Sequence, residues 1–149
     1  MAGNPLINQG TLNRLRGSVV FASNATLNIT APYLSKEAIS IAFDGDAGLL
    51  IPTLTGGVTS PEPYQMATVT IHLLKSQSLS NVYKKQIEAN VNVGDVSVIT
   101  DSAALGDYAL SNCIIKGVRD ITFDGVVPGF VVTIAGIYNI NSNLWDLIS

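Results

Sequence analysis

The sequence predicts a mainly β protein, a sandwich or barrel with one flanking α-helix. Three observations indicate this fold. Apolar stretches of strand length recur along the chain, turns rich in glycine and proline separate them, and one stretch, residues 79–89, has helical spacing. A chain of 149 residues is long enough for one domain with a substantial core. We therefore predict a single domain over residues 1–149 with an extended N-terminal arm, about residues 1–16.

The first part of the chain is predicted to form an irregular arm and then short strands. Asn4–Arg16 carries scattered apolar side chains without a sustained periodicity. Strand-like stretches follow at Ser18–Ala22 and Leu27–Thr30. Ala31-Pro32 then interrupts the pattern, because proline donates no hydrogen bond and restrains its neighbour. The next predicted strand is Ile39–Phe43, where apolar side chains alternate.

A turn, a strand and a long loop are predicted next. Asp44-Gly45-Asp46 is a turn signal, and Gly48–Leu54 resumes as a strand that Pro52 bounds or interrupts. Glycine and proline are frequent in Thr55–Gln65, which predicts a loop. Long loops in compact domains often make contacts, so this loop is a candidate interaction site.

The stretch Met66–Leu74 has the clearest strand pattern. Successive β side chains point to opposite sides of a sheet, so this strand has two different faces. The face predicted to contact the core carries Ala67, Val69, Ile71 and Leu73, and the opposite face carries Thr68, Thr70 and His72. The pattern predicts a sheet with one dry face and one wetter face.

One amphipathic helix, Leu79–Ala89, is predicted after this strand. Its apolar residues recur at helical spacing and its charged residues lie on the other side. The chain then returns to predicted strands at Val96–Thr100, Ala109–Lys116, Val118–Phe123 and Phe130–Ile140.

The composition indicates a protein that associates with other protein chains. Hydrophobic residues make up 47% of the chain and charged residues 13%, and the mean hydropathy is +0.36. No apolar stretch approaches the ~20 residues of a membrane helix, so no membrane insertion is expected. Protein–protein contact is the simplest way to cover the excess apolar surface. The net charge of −3 and the scattered lysines and arginines argue against tight binding of nucleic acid.

No catalytic, metal or cofactor site is expected. A hydrolytic triad needs a base beside an exposed nucleophile and an orienting acid, and the single histidine, His72, lies in the middle of a predicted strand. His72 and Cys113 supply too few soft ligands for zinc. Cys113 is itself predicted to be a small buried side chain. A single cysteine also excludes an internal disulfide framework.

The carboxylates do not form a recognisable site either. Asp44 and Asp46 are spaced like the beginning of a calcium loop, but the later oxygen ligands and the closing glutamate are missing, which favours a turn. Asp120 and Asp124 are a candidate acid pair at a cleft. The alternative is that both carboxylates face solvent beside a strand and a turn.

Three stretches of the chain carry a family signature: NPLINQGTLNRLRGSVVF, IPTLTGGVTSPEPYQMATVTIHLLKSQSLSNVYKKQ and GFVVTIAGIYNINSNLWDL. They resemble tail tube proteins of contractile-tailed bacteriophages, and the resemblance covers the chain nearly end to end. It implies a β-sandwich-like subunit that joins sheet to sheet with its neighbours into a hexameric ring. Rings would stack into a hollow tube inside a contractile sheath, as in the similar tubes of R-type pyocins and type VI secretion.

The resemblance also implies partners and a location. The partners would be further copies of the chain, the tail sheath protein, the tape measure protein, the baseplate hub and the tail terminator. Genome DNA would pass through without specific binding. The protein would belong to the phage tail of the virion and be assembled in the host bacterial cytoplasm. The alternatives are a tube subunit of a tailocin or type VI secretion machine, and a monomeric β-sandwich binding module.

By analogy with the family, the arm and the predicted loop are candidates for contacts between subunits and between rings. The candidates in the arm are Asn4, Pro5, Leu6, Ile7, Leu12, Leu15 and Arg16. Those in the loop are Thr59, Pro61, Glu62, Pro63, Tyr64 and Gln65. An arm packed on its own domain and a loop exposed to solvent are the alternatives for these segments.

Overall fold

The computed structural model of the protein describes residues 6–7, 9–10, 17–23, 25–100 and 106–147. Within them lie strands β1 (Gly17–Phe21), β2 (Leu34–Asp44), β3 (Gly48–Pro52), β4 (Gly57–Pro61), β5 (Tyr64–Leu74), β6 (Asn92–Thr100), β7 (Tyr108–Arg119) and β8 (Gly129–Asn139). The α-helix α1 spans Leu79–Ala89, as predicted, and short 3₁₀ helices span Ala25–Leu27, Ala31–Tyr33 and Ser142–Leu147. The predicted mainly β fold with one flanking helix is confirmed.

Six strands form one antiparallel sheet in the order β1-β6-β7-β8-β5-β2, which curls into a half-barrel. Strand β5 pairs with β8 along its whole length and with β2 on its other side. At one corner the two ends of the sheet approach each other, because Gly17 on β1 lies beside Ile39 on β2. A Cβ atom added to Gly17 would be 3.2 Å from Ile39 Cδ1, so the missing side chain allows this close approach.

The inward face of the curled sheet holds the core. On β5 the four residues predicted to face inward are at most 1% exposed: Ala67, Val69, Ile71 and Leu73. They share the core with buried residues of the neighbouring strands, among them Val96, Leu110, Ile115, Phe130, Val132 and Ile134. Each fully buried aliphatic side chain of this size contributes roughly 1.5–3 kcal/mol to stability. The curl of the sheet therefore follows from the need to enclose these side chains.

Helix α1 is attached to the core through Tyr83. The Tyr83 side chain is fully buried, and its ring meets Phe21 of β1 edge-on with the centroids 6.3 Å apart. Its hydroxyl donates a 2.8 Å hydrogen bond to the Leu27 carbonyl. Burial raises the pKa of the Tyr83 phenol well above its ordinary value. The helix thus covers the part of the core next to β1.

Among the described residues, no helix is both long enough and apolar enough to cross a lipid bilayer.

The predicted strand Leu27–Thr30 is wrong. Ala25–Leu27 forms a 3₁₀ helix, and Ile29 makes a single bridge to Val19. The Asn28 side chain explains the difference, because its Oδ1 accepts the Phe21 N–H at 2.8 Å. A side-chain acceptor of this kind replaces the carbonyl of a regular strand partner.

The two strands predicted over Ala109–Lys116 and Val118–Phe123 are one strand, β7, which is interrupted by irregularities in its register. Strand β7 ends at Arg119, and the next residue, Asp120, has φ 60°. A left-handed residue breaks the extended backbone, and aspartate tolerates this conformation better than most residues. Residues 121–123 therefore lie outside the sheet.

We expect Tyr83→Phe to lower the free energy of unfolding by about 1–2 kcal/mol, because it removes a buried hydrogen bond and keeps the ring. Folding raises the pKa of this phenol, so above about pH 10 the unfolded chain loses the proton and the folded chain keeps it. Wild-type stability should therefore fall as the pH rises through that value, and the variant should lack this part of the loss.

Urea unfolding at neutral pH and above about pH 10 measures both effects. Tyr64→Phe is the matched control, since the Tyr64 side chain is half exposed. If Tyr83→Phe lost as much stability at alkaline pH as the wild type does, the Tyr83 phenol would not be a source of that loss.

Candidate interaction surfaces

Strands β3 and β4 form a two-stranded sheet separate from the six-stranded one. We call this element, residues 48–61, the hairpin. At its tip the Thr53 N–H donates a 2.8 Å hydrogen bond to the Gly56 carbonyl. Pro52 and Pro61 each occupy a terminal pair of the ladder, where the missing N–H disturbs the pairing least.

The predicted loop over Thr55–Gln65 is therefore wrong. Gly57–Pro61 is strand β4, and β5 begins at Tyr64, so Glu62 and Pro63 are the connection between them. Glycine and proline are depleted in strands, which makes this segment resemble a loop in the sequence. Pairing with β3 overrides that local preference.

The hairpin exposes large apolar side chains. Leu54 at the tip is fully exposed and Leu50 is 72% exposed. Three more are about half exposed: Leu49, Ile51 and Val58. No residue from 48 to 61 carries a charge. An uncharged apolar projection of this kind is typical of a surface that another protein covers.

Polar groups anchor the base of the hairpin to the body of the protein. The Glu62 N–H donates to the Ala47 carbonyl at 3.0 Å, which closes the base. Asn141, just after β8, donates through Nδ2 to the carbonyls of Ala47 (3.0 Å) and Glu62 (2.7 Å). Gln65 Nε2 donates to the Gly45 carbonyl at 2.9 Å. The hairpin is thus fixed at its base, while its tip is uncovered.

The predicted contact residues fall into separate places. Two loop candidates lie in β4 (Thr59, Pro61), two in the connection (Glu62, Pro63) and two at the beginning of β5 (Tyr64, Gln65). In the arm, Leu6 and Ile7 are exposed. The other arm candidates lie outside the described residues: Asn4, Pro5, Leu12, Leu15 and Arg16. A contact role for these residues stays a prediction, and the apolar residues with the greatest exposure on the hairpin were not among those predicted.

A groove of about 710 Å³ lies at the other end of β5, between α1 and residues 120–128, which we call the β7–β8 loop. Its apolar lining consists of Ile87, Val118, Ile121, Phe123 and Phe130. Phe123, at the lip, is fully exposed. No periodicity in the sequence indicates this groove, because its walls come from two stretches that are distant along the chain, residues 75–88 and 118–130.

The β7–β8 loop is ordered around Asp124. Its Oδ1 accepts hydrogen bonds from the N–H groups of Val126 (3.4 Å) and Val127 (3.2 Å) and from Thr122 Oγ1 (3.3 Å). Lys75 Nζ lies 3.5 Å from the same oxygen and donates to the Thr122 carbonyl at 2.8 Å. The Val127 N–H is the largest of several influences that lower the pKa of the Asp124 carboxyl. These bonds hold a loop whose apolar side chains remain exposed.

The charged side chains that line the groove form two pairs. Lys75 is paired with Asp124, and Lys84 lies 3.3 Å from Glu88 one helical turn away. The Lys84–Glu88 pair is exposed and the Lys75–Asp124 pair is partly exposed, so each contributes little to stability. The pairing does leave the groove without net charge.

Three aromatic rings that are distant in the sequence meet at the hairpin end of the half-barrel. Phe43, Tyr108 and Tyr138 have ring centroids 5.0–5.7 Å apart. All three are partly buried and pack against the core. A monomeric binding module predicts exposed aromatic side chains in a groove. These three rings instead cover the end of the core, and the exposed aromatic side chain at the groove is Phe123.

Among the described residues, no group of three or more histidine, cysteine, aspartate or glutamate side chains is placed to hold a metal ion. His72 lies on the outward face of β5, in register with Val131 of β8. Burial raises the pKa of the Cys113 thiol to about 11, which keeps the sulfur protonated at neutral pH. The Asp124 carboxylate accepts hydrogen bonds within the β7–β8 loop.

No protein-family model matches the chain, and no curated protein matches it. Among solved structures the chain is similar to one described as "Cryo-EM structure of the anti-feeding prophage cap (AFP tube terminating cap)". The alignment has a TM-score of 0.45 and 16% sequence identity, and it covers 91% of this chain and 92% of that chain. A likeness this weak transfers no role to this chain.

We expect Asp124→Ala to loosen the β7–β8 loop, because four donors lose their shared acceptor. Amide hydrogen exchange at Val126 and Val127, expressed as protection factors, should show reduced protection in the variant. Folding lowers the pKa of this carboxyl, so the wild type should keep its protection above the ordinary aspartate value, about 3.9, and lose it at lower pH. Asp120→Asn is the control, because asparagine tolerates the same left-handed backbone. Protection in Asp124→Ala equal to that of the wild type would refute this role.

Proposed function

We propose that the chain is a structural, non-enzymatic subunit that assembles into stacked hexameric rings and forms the hollow inner tube of a contractile phage tail. The hairpin carries this proposal. An anchored, uncharged element with a fully exposed leucine at its tip is costly to leave in water, which favours its being covered by another chain. The end-to-end resemblance of the sequence to tail tube proteins supplies the type of assembly.

The edges of the sheet provide a way to join subunits within a ring. Val19 of β1 exchanges two 2.9 Å hydrogen bonds with Ile29, which partly covers that edge. At the other end of the sheet, residues Ile39–Asp44 of β2 pair with β5 on one side, and no described strand pairs with their other side. A strand edge of this kind accepts a strand from another chain. Pairing that repeats around a closed ring satisfies every such edge.

The charge of the chain suits a conduit for DNA. With a net charge of −3, the subunit has little attraction for phosphate groups. The outward face of β5 carries Thr68, Thr70 and His72, none of which is a lysine or arginine that would grip the backbone of DNA. The proposed partners are those that a tail tube meets: the sheath, the tape measure protein, the baseplate hub and the tail terminator. The proposed location is the tail of the virion.

We expect the purified protein to form rings or long hollow filaments of uniform width at high concentration. Size-exclusion chromatography with light scattering gives the mass of the assemblies, and negative-stain electron microscopy gives their shape. A monomer that persists at high concentration would contradict the proposal and favour the binding-module alternative.

We further expect removal of the hairpin to leave a folded subunit that no longer forms filaments. The Glu62–Ala47 hydrogen bond brings the two ends of the base together, so a short Gly-containing turn can replace residues 48–61. Circular dichroism and thermal unfolding check the fold, and microscopy checks assembly. The control keeps the hairpin and replaces Lys116, an exposed position on β7, with arginine. Normal filaments from the shortened protein would show that the hairpin is not an assembly element.

A further inference from the structure

The two apolar surfaces lie at opposite ends of one strand. The hairpin precedes Tyr64, the first residue of β5, and the groove includes Lys75, which follows Leu74, the last residue. A strand rises about 3.3 Å per residue, so the eleven residues of β5 separate the two surfaces by about 35 Å. The hairpin is anchored at its base and therefore does not reach the groove of its own subunit.

We propose that the hairpin of one copy packs into the groove between α1 and the β7–β8 loop of a second copy, stacked along the direction of β5. This contact rests on the proposed function and names the surface that receives the hairpin. Leu54 at the hairpin tip would pack against Phe123 at the lip of the groove, above the apolar side chains of Ile87 and Phe130.

The charges of the two surfaces support a second copy as the occupant. The hairpin carries no charged residue. In the groove, Lys75 is paired with Asp124 and Lys84 with Glu88, so each charge already has its partner. A charged segment would find no unpaired charge there, whereas an uncharged apolar segment leaves both pairs intact. The chain itself supplies such a segment, at the end of the subunit that faces the next copy in a head-to-tail stack.

The contact joins two different surfaces of identical chains. Each copy that joins through its hairpin leaves its own groove open, and each copy that joins through its groove leaves its hairpin open. Heterologous contacts of this kind extend a filament without limit along their axis. The β7–β8 loop has a defined part in this arrangement, because the bonds around Asp124 hold Phe123 at the lip of the groove.

Two variants, each with one surface disabled, test the contact. Leu54→Asp disables the hairpin, and Phe123→Asp disables the groove. Each variant should raise the concentration required for filament growth by about tenfold or more, the factor expected for loss of one large buried apolar side chain. When the two variants are mixed in equal amounts, the intact hairpin of the Phe123→Asp protein should enter the intact groove of the Leu54→Asp protein. The mixture should therefore give stacks that stop at two rings, visible by light scattering and negative stain.

Val126→Asp is the matched control, because the Val126 side chain is highly exposed, does not line the groove and takes no part in the bonds around Asp124, which use only the backbone N–H of this residue. It should form filaments at the wild-type concentration. Leu54 and Phe123 are both fully exposed, so the melting temperatures of their variants should equal that of the wild type.

The outcomes separate this contact from the tube itself. If the wild type forms filaments and Phe123→Asp forms them at the same concentration, the groove is not the receiving surface, and the tube proposal stands. If the wild type forms filaments but the mixture of the two variants forms no two-ring stacks, the proposed contact is also wrong. If the wild type forms neither rings nor filaments, the proposed function fails, and the contact fails with it.

Discussion

The whole structure depends on the pairing of β5 with a neighbour on each side. Its register with β8 runs unbroken from Tyr64 opposite Asn139 to Leu74 opposite Gly129, and β2 pairs along its other edge. Because side chains alternate across a strand, this double pairing places Ala67, Val69 and Ile71 on the same side as the core residues of β8. A slip of one residue would turn that row toward water. The sheet curls around this row, and α1 covers the core through Tyr83.

The same strand determines where the exposed apolar surface lies. The hairpin is the connection that enters β5, and the groove is built where β5 ends and α1 begins. In the middle of β5 the outward face carries Thr68, Thr70 and His72, so it offers little apolar surface there. The large exposed side chains are therefore concentrated in connections, such as Leu54 in the hairpin and Phe123 in the β7–β8 loop. A chain whose two ends differ in this way is suited to the directional assembly that we propose.

Local sequence patterns predicted the parts of the fold that depend on neighbouring residues. The alternation in β5 and the helical spacing of α1 were confirmed, including the bounds of the helix. The patterns failed where a more distant partner decided the conformation. Asn28 Oδ1 takes the place of a strand partner, β3 turns Gly57–Pro61 into a strand, and the left-handed Asp120 ends β7. The predicted loop overlaps the hairpin only in part: it contains β4, whereas the exposed Leu50 and Leu54 precede it.

The sequence by itself determined that the chain is mainly β, has one helix, carries an excess of apolar residues and has few charges with which to bind nucleic acid. These properties follow from composition and from periods of two and 3.6 residues, which are local. Tertiary structure alone decided that the uncharged hairpin and the groove lie at opposite ends, and that Lys75 meets Asp124. Such placements depend on how strands distant in the sequence pair and curl, and a local period carries no information about them.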